Sequence, residues 1–397
     1  MAKGTKSATK NKKIKQKTQY LSAREQRAIA KHNRDVMNRF ERLRSRENIS
    51  ETEYLSEMKN SENVMEIDNL HTYFFTDTGT VKAVDGVSFD IPIGKTVGVV
   101  GESGCGKSVT ALSTMQLVAR PTGQIVEGEI RLRASEEKVY DVAKMPTEMM
   151  RMIRGNIISM IFQEPMTSLN PVFRVGEQVD EVVELHNPQM TKSQVKQRTI
   201  DMFDLVKIAN SEGVYKMYPH ELSGGMRQRA MIAMALACDP ALIIADEPTT
   251  ALDVTIQAQI LDILRSLKDQ INSSIMLITH DLGVVAEMAD FVVVMYAGRI
   301  VERGTVREVF HTPVHPYTVG LMASRPVINQ RVERLYSIPG KVPNPIDLPD
   351  HCYFMDRCEY AVKGICDGAY PGLIQLTDTH YAACHIRPEM RLAGEES

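Results

Sequence analysis

The chain has 397 residues, enough to bury one large core and a smaller second domain. Hydrophobic residues make up 43% and charged residues 24%, no apolar run approaches the roughly 18 residues of a membrane-spanning helix, and the basic start of the chain has no signal-peptide core. We therefore expect a cytosolic protein with at most a peripheral membrane role. Because cytosolic thiols are kept reduced, clustered cysteines are expected to bind metal more often than to form disulfides.

The first 62 residues form a basic extension that differs in charge from the rest. They hold 16 Lys and Arg against 8 Asp and Glu, a net charge of +8, while the remainder carries −11 within an overall −3. Seven lysines without an acid in residues 1–17 predict a disordered arm, either a solvated tail or a contact for anionic lipid or nucleic acid. The sequence SARE from Ser22 has capping-box spacing and opens a charged helix to about Arg46. Its weakly apolar face predicts an appendage.

From residue 63 strands alternate with helices, which predicts an α/β fold. The apolar run TVGVV at 96–100 is followed by GESGCGKS, the pattern of a phosphate-binding loop between a strand and a helix. Its glycines let backbone N–H groups face phosphate oxygens at the helix N-terminus, Lys107 can reach the β and γ phosphates, and Ser108 can ligate Mg²⁺. The predicted nucleotide and Mg²⁺ contacts here are Gly101, Ser103, Gly104, Cys105, Gly106, Lys107 and Ser108.

A second apolar strand, ALIIADEP at 241–248, ends in two acids. The Asp246 carboxylate suits the outer shell of Mg²⁺. Glu247 beside it is positioned to polarise an attacking water as a general base. Together with the loop upstream, the two acids predict nucleotide hydrolysis.

Between these motifs, LSGGMRQR at 222–229 and the following DEPTTALD together resemble the ATP-binding cassette ATPases, over about residues 64–397. The resemblance implies a P-loop cassette at 63–310, with a RecA-like core, an antiparallel β subdomain and a helical subdomain at about 164–220. It also implies that two cassettes close head to tail, each holding the ATP of the opposite subunit. The residues implied to hold that ATP are Leu222, Ser223, Gly224 and Gly225, and Met226 replaces the family's glutamine just beyond them.

Other family positions match residue by residue. Gln163 matches the loop glutamine that touches Mg²⁺ and water, and His280 matches the switch histidine at the γ-phosphate. Asp253 matches the loop that couples the two sites of a dimer. The aromatic ring that stacks on adenine is expected in TYFFTDTG, where Phe74 is the first choice and Tyr73 or Phe75 are alternatives.

Residues 311–397 are rich in proline and poor in apolar periodicity, so they are predicted to be irregular. HPYT, PGKVPNP and CYFMDRC resemble the tail of the peptide/nickel permease ATPases, and GGMRQR resembles their oligopeptide and dipeptide subunit. Four cysteines separated by five, seven and seventeen residues match that tail, which implies a [4Fe–4S] cluster on Cys352, Cys358, Cys366 and Cys384. From the residues alone, iron–sulfur, zinc and unligated thiols all remain open.

The resemblance implies the ATP-hydrolysing motor subunit of an importer for oligopeptides or dipeptides, with nickel or another small solute as the alternative. Its expected partners are a second, different cassette ATPase, two transmembrane permease subunits and an extracytoplasmic solute-binding protein, at the cytoplasmic face of the membrane. A nucleic-acid or translation ATPase is less favoured, because the chain has one cassette and no coiled-coil arms, and no specific nucleic acid is expected. A redox sensor built on the cluster is the remaining alternative.

Overall fold

The structure is a computed structural model that describes residues 22–46, 49–164, 168–250, 253–324, 336–346 and 348–385. The predicted lysine-rich arm at 1–17 lies outside these ranges. Within them, no helix has the length and apolar content needed to span a bilayer. The helices are α1 (Ala23–Arg44), α2 (Lys107–Thr114), α3 (Thr147–Ile153), α4 (Val175–His186), α5 (Lys192–Leu205), α6 (Ser211–Tyr215), α7 (Gly224–Leu236), α8 (Val254–Ile271), α9 (Leu282–Met288), α10 (Val306–His311) and α11 (Pro316–Ala323). The strands are β1 (Leu55–Ser56), β2 (Asn63–Thr76), β3 (Gly79–Pro92), β4 (Thr96–Val100), β5 (Gly123–Arg133), β6 (Val139–Asp141), β7 (Ile158–Ile161), β8 (Leu242–Asp246), β9 (Ser274–Ile278), β10 (Phe291–Tyr296), β11 (Arg299–Thr305), β12 (Ile374–Gln375) and β13 (Tyr381–Ala382).

An antiparallel sheet of five strands, in the order β1-β6-β5-β2-β3, forms one layer. Its two longest strands, β2 and β3, form a hairpin whose register runs from Asn63 opposite Pro92 to Thr76 opposite Gly79. The inward side chains of these strands join the central strands of the second sheet in one hydrophobic core. Burying one face of each strand in this way fixes the register of the hairpin.

The second sheet has eight strands in the order β12-β13-β11-β10-β4-β9-β8-β7. Strands β10, β4, β9, β8 and β7 are parallel. The apolar runs of β4, β8 and β9 are buried along their whole length, as expected for parallel strands covered on both faces. Because parallel strands end at the same edge, the segments that follow β4, β9, β8 and β7 meet there. This edge carries the predicted phosphate and acid motifs.

Helices α4 to α7 lie between β7 and β8 in the chain and pack into a second hydrophobic cluster with those strands. Val179, Phe203 and Leu236 are among its fully buried side chains. The helical subdomain predicted at about 164–220 falls on this part of the fold, although residues 165–167 at its start lie outside the described ranges.

Helix α1 begins where the sequence predicts it. Ser22 is its N-cap and exchanges capping-box hydrogen bonds with Glu25, and the helix ends at Arg44. The prediction that this helix is an appendage is wrong, because α1 packs against β2, β3 and β5. Its buried residues are Asn33 and Arg44, which are polar. A search for an apolar stripe therefore overlooks the face that packs.

The tip of the β2–β3 hairpin is held from two distant parts of the chain. On the N-terminal side, the Asn33 amide donates hydrogen bonds to the carbonyl oxygens of Thr76 at 2.7 Å and Gly79 at 3.4 Å. On the C-terminal side, the Lys82 N–H donates to the carbonyl oxygen of Pro345 at 3.1 Å. A residue of the N-terminal helix and a residue of the C-terminal segment thus support one hairpin.

The irregular C-terminal segment is joined to the cassette. Strand β13 pairs antiparallel with β11, and β12 pairs with β13, so the segment extends the eight-stranded sheet. The buried ring of Phe354 packs edge-on against Tyr296 and Tyr317, with centroids 5.3 and 5.6 Å away. Aromatic rings packed in this manner stabilise a core beyond their buried area. A segment too poor in apolar residues for its own core therefore shares one with the cassette.

Candidate active site

The loop between β4 and α2 has the conformation that phosphate binding requires. Gly104 and Gly106 have φ of 78° and 105°, in the left-handed region that side chains other than glycine rarely adopt. A Cβ at Gly106 would stand 2.4 Å from the carbonyl oxygen of Ala83. A Cβ at Gly104 would meet nothing within 4 Å, so the space over this exposed part of the loop, with Ser103, is open.

Lys107 is buried at the base of this loop. Its ammonium group donates to the carbonyl oxygens of Gly101 at 2.8 Å and Glu102 at 3.1 Å. The neighbouring Cys105 is 1% exposed and burial raises the pKa of its thiol. Its side chain therefore belongs to the core, and only its backbone is available to a ligand.

Ser108 and Asp246 join the loop to the end of β8. The Ser108 hydroxyl donates to the Asp246 carboxylate at 3.0 Å. Burial raises the pKa of Asp246, with the charge of Glu247 adding to the rise and the Ser108 hydrogen bond opposing it. A hydroxyl and a buried carboxylate are oxygen donors of the kind that Mg²⁺ prefers, so these residues fit a nucleotide-bound Mg²⁺.

The other predicted catalytic side chains, Gln163 and His280, lie around the Glu247 carboxylate. Gln163 donates to one carboxylate oxygen at 3.0 Å, Thr250 donates to the same oxygen at 2.8 Å, and His280 Nδ1 lies 3.3 Å from the other. The Glu247 backbone has φ of 47°, a costly conformation for a residue with a side chain. Such strain at a polar cluster points to a functional constraint.

The cluster forms because Gln163, Glu247 and His280 follow three neighbouring parallel strands, β7, β8 and β9. Glu247 is 15% exposed and His280 66%, so the carboxylate is accessible to water from the histidine side. A carboxylate fixed by an amide and a hydroxyl can orient a water and accept its proton. Sequence reasoning missed Thr250, although it stands in the TTALD motif already singled out.

The signature segment stands away from this cluster. Leu222 is buried, whereas Ser223 caps α7 by accepting a 3.3 Å hydrogen bond from the Met226 N–H. Gly224 opens the helix with free space around it, and Gly225 follows. Over the described ranges no hydrogen bond or ion pair links residues 222–225 to the phosphate loop of the same chain.

Asp253 has the same local role at the next helix. It is exposed, and its carboxylate caps α8 by accepting a 2.9 Å hydrogen bond from the Ile256 N–H. Val254 beside it is 83% exposed. An apolar side chain so exposed next to a cap is available to a partner surface.

Of the three aromatic candidates for adenine, two are occupied elsewhere. The Tyr73 hydroxyl donates to the Asp85 carboxylate at 2.6 Å, and Phe75 is buried. Phe74 is half-buried, and its ring lies over Gly123 of the neighbouring strand. Phe74 thus differs from the other two candidates, since it is neither fully buried nor hydrogen-bonded to Asp85.

The four predicted cysteine ligands line one small cavity in the C-terminal segment: Cys352, Cys358, Cys366 and Cys384. None of them forms a disulfide. Burial, with a smaller contribution from the neighbouring thiols, raises the pKa of Cys352 and of Cys358 to about 11. In the part of the chain that the structure describes, no three His, Cys, Asp or Glu side chains are arranged to hold a single metal ion. The cluster therefore stays a prediction.

Two family models match the chain. The ABC transporter model matches residues 84–250, and the model of the oligopeptide/dipeptide transporter C-terminal region matches residues 301–366. The fold is similar to the dimeric structure of the ATP-binding cassette MJ0796 bound to ADP and Pi, with a TM-score of 0.54 and 24% identity over 61% of this chain and 99% of that one.

Sequence relatives are closer. The oligopeptide transport ATP-binding protein AppD of Bacillus subtilis is 52% identical over 326 residues, 82% of this chain and 97% of the relative. The dipeptide transport ATP-binding protein DppD of Lactococcus lactis is 48% identical over 321 residues, 81% of this chain and 90% of the relative. The site and fold define an ATP-binding cassette ATPase. The chain belongs to the ABC transporter family, which confirms the resemblance drawn from its motifs.

Proposed function

We propose that this protein is the ATP-hydrolysing subunit of a membrane importer for oligopeptides or dipeptides. The observation that carries the ATPase part is the Glu247 carboxylate, held by Gln163 and Thr250 with His280 at 3.3 Å, at the sheet edge shared with the phosphate loop. The peptide part is supported by the matching C-terminal region and by the names of the relatives.

Each site residue is proposed for one task. Lys107 and the loop N–H groups bind the phosphates, while Ser108, Asp246 and Gln163 hold Mg²⁺ directly or through water. Bound Mg²⁺ supplies neutralisation of phosphate charge. Glu247 accepts a proton from the attacking water. His280, exposed beside it, contacts the γ-phosphate.

Hydrolysis is proposed to need two cassettes. Residues 222–225, at the open start of α7, would bind the ATP of the opposite subunit through the helix N-terminus and the Ser223 hydroxyl. Asp253 lies beside an exposed Val254 and would contact the opposite cassette. Phe74 is proposed to stack on adenine, because it is neither buried like Phe75 nor hydrogen-bonded to Asp85 like Tyr73.

The proposed assembly contains a second, different cassette ATPase, two transmembrane permease subunits and an extracytoplasmic solute-binding protein, at the cytoplasmic face of the membrane. The proposed divisions of the chain are a basic extension at 1–62, the cassette at 63–310 and the four-cysteine region at 311–397. The ABC transporter match, 84–250, lies within the proposed cassette, whereas the match of the C-terminal region, 301–366, begins ten residues before the proposed boundary at 311.

We also propose a [4Fe–4S] cluster on the four cysteines. One observation supports it: the four cysteines line one cavity. Four cysteine thiolates are the usual ligands of such a cluster. Cluster binding would add folding free energy to a segment with little core of its own.

The test is reconstitution of this chain with its permease subunits and second ATPase in liposomes, with the solute-binding protein added outside. ATP hydrolysis and uptake should rise when the binding protein is loaded with di- or oligopeptide. If nickel stimulated ATP hydrolysis and peptide did not, the proposed peptide substrate would be wrong, but the proposal of an importer would stand. If the rate of ATP hydrolysis did not change when the permease and the binding protein were present, the transport proposal would be wrong.

A further inference from the structure

A buried ion pair connects the phosphate loop to the four-cysteine segment. The Arg357 guanidinium donates to both carboxylate oxygens of Glu102, at 2.8 and 2.9 Å. Glu102 is the second residue of GESGCGKS, and Arg357 directly precedes Cys358. The Arg357 side chain is 5% exposed and that of Glu102 27%. A bidentate pair with little exposure to solvent fixes the relative position of the two segments.

Arg357 is itself held by both parts of the protein. Its Nε donates to the carbonyl oxygen of Pro339 at 2.8 Å, and its Nη1 donates to the Tyr296 hydroxyl at 3.3 Å. The guanidinium also lies over the ring of Phe354, 5.7 Å from the centroid. The pair is therefore a fixed link, and one side of it is the cysteine segment.

The backbone of Glu102 is tied into the same junction. Its N–H donates to the Tyr317 hydroxyl at 2.8 Å, and its carbonyl oxygen accepts from Lys107 at 3.1 Å. Glu102 thus lies one hydrogen bond from the lysine that meets the phosphates. A bare carboxylate at this position in the loop would repel phosphate oxygens, which Arg357 prevents by neutralising it.

We propose that Arg357 is a positioning residue for nucleotide binding: it holds and neutralises Glu102, so that the four-cysteine segment sets the affinity of the phosphate loop for nucleoside triphosphates. The inference rests on the proposed ATP site and extends it, because it gives the C-terminal segment a direct part in nucleotide binding. Arg357 is the last residue of the 3₁₀ turn Met355–Arg357, which leads into Cys358. The position of Arg357 therefore depends on the conformation of this turn.

The test measures binding of fluorescent ATP, ADP and AMP analogues with Mg²⁺ to the purified full chain. Arg357→Met should weaken triphosphate binding about tenfold, with less effect on the diphosphate and least on the monophosphate, since repulsion grows with ligand charge. The double variant Arg357→Met with Glu102→Gln should recover most of the affinity. Loss of packing alone would give neither the charge ranking nor the rescue.

Arg303→Met is the matched control. Arg303 also bridges the cassette and the C-terminal segment, donating to the Ser88 carbonyl oxygen at 3.1 Å and lying over the Tyr381 ring, but it does not contact the phosphate loop. Its nucleotide affinities should stay at the wild-type values. Circular dichroism and thermal unfolding establish that each variant is folded, and Glu102→Gln alone, which keeps the acceptor, should bind ATP at least as well as the wild type.

Wild-type affinity in a folded Arg357→Met protein would overturn the inference, as would a double variant no better than the single one. Failure of the wild-type protein to bind any of the three nucleotides would instead contradict the proposed ATP site. The two failures are thus distinguishable in one experiment.

Discussion

The Ser108 hydroxyl donates a 3.0 Å hydrogen bond to Asp246, a residue 138 positions later in the chain. Ser108 lies in the helix after β4 and Asp246 ends β8, and β9 separates these two strands in the sheet. The bond therefore crosses over the end of an intervening strand and fixes the phosphate loop against the acid that ends β8. Glu247, the next residue, donates its N–H to the carbonyl oxygen of Ile278 at 2.8 Å.

The first prediction concerns Glu247→Gln. The glutamine side chain keeps the shape of glutamate and an oxygen that can accept hydrogen bonds from Gln163 and Thr250. Its amide cannot accept a proton from the attacking water. ATP hydrolysis should fall by about 100-fold or more, while ATP affinity stays near the wild-type value. Phosphate release and fluorescent-nucleotide binding measure the two effects separately.

Glu287→Gln serves as the control, because Glu287 is an exposed acid that pairs with Arg265 on the surface. It should leave both quantities unchanged. If Glu247→Gln hydrolysed ATP at the wild-type rate, Glu247 would not be the general base.

A second prediction tests the support of the hairpin by α1. Asn33→Ala removes the donor to the carbonyl oxygens of Thr76 and Gly79 and should lower the free energy of unfolding by about 1–3 kcal/mol. Asn38→Ala, at an exposed position of the same helix, should change it by less than about 0.5 kcal/mol. Urea unfolding compares the two variants. Equal stabilities would mean that α1 does not support the hairpin.

A third prediction follows from Glu308. Burial acts to raise its pKa, but hydrogen bonds from Thr377, Thr305 and Thr379 outweigh it and hold the pKa at about 2. A carboxyl whose pKa is lower in the folded state stabilises the protein at pH values above the ordinary pKa of glutamate. That stability is lost as the pH falls toward 2. The wild type should therefore lose stability between about pH 5 and pH 2.

Glu308→Gln should be less stable than the wild type by about 1 kcal/mol at pH 7, a value reduced for solvent screening, and equal to it near pH 2. Glu212→Gln, at an exposed position, provides the comparison. Thermal unfolding across this pH range measures the difference. If the difference in stability between Glu308→Gln and the wild type did not decrease as the pH falls, the lowered pKa of Glu308 would be contradicted.

A fourth prediction concerns the four-cysteine cavity. Protein purified without oxygen should contain about four irons and four sulfides per chain. Cys358→Ser should lose most of the iron and make the C-terminal segment more sensitive to protease. Cys238→Ser, a cysteine of the cassette outside the cavity, should retain the full iron content. Stoichiometric zinc without iron would contradict the cluster.

The parts of the fold that the sequence predicts are those in which contiguous residues carry the chemistry. Glycine spacing before Lys107, and acids at the end of an apolar strand, define the phosphate loop and Glu247 without any knowledge of tertiary contacts. Their convergence follows from parallel strands ending at one edge. The motifs and the fold class could therefore be predicted together.

Contacts between residues far apart in sequence could not be predicted. Nothing local in DRC indicates that Arg357 reaches Glu102, 255 residues earlier. Asn33 was overlooked for a different reason, since a buried amide on a charged helix leaves no apolar periodicity to detect. The preference for Phe74 over Tyr73 and Phe75 was made from the sequence and stays a prediction.

The hairpin of β2 and β3, which carries Phe74, takes hydrogen bonds from Asn33 on one side and Pro345 on the other. A fragment trimmed to residues 63–310 would keep both strands and every motif of the cassette, yet lose both supports. Affinity tags and fluorescent proteins are usually fused at chain ends. A fusion partner placed directly at residue 63 or 310 would stand where these supports are missing, so activities of such a fragment and of the full chain are not interchangeable.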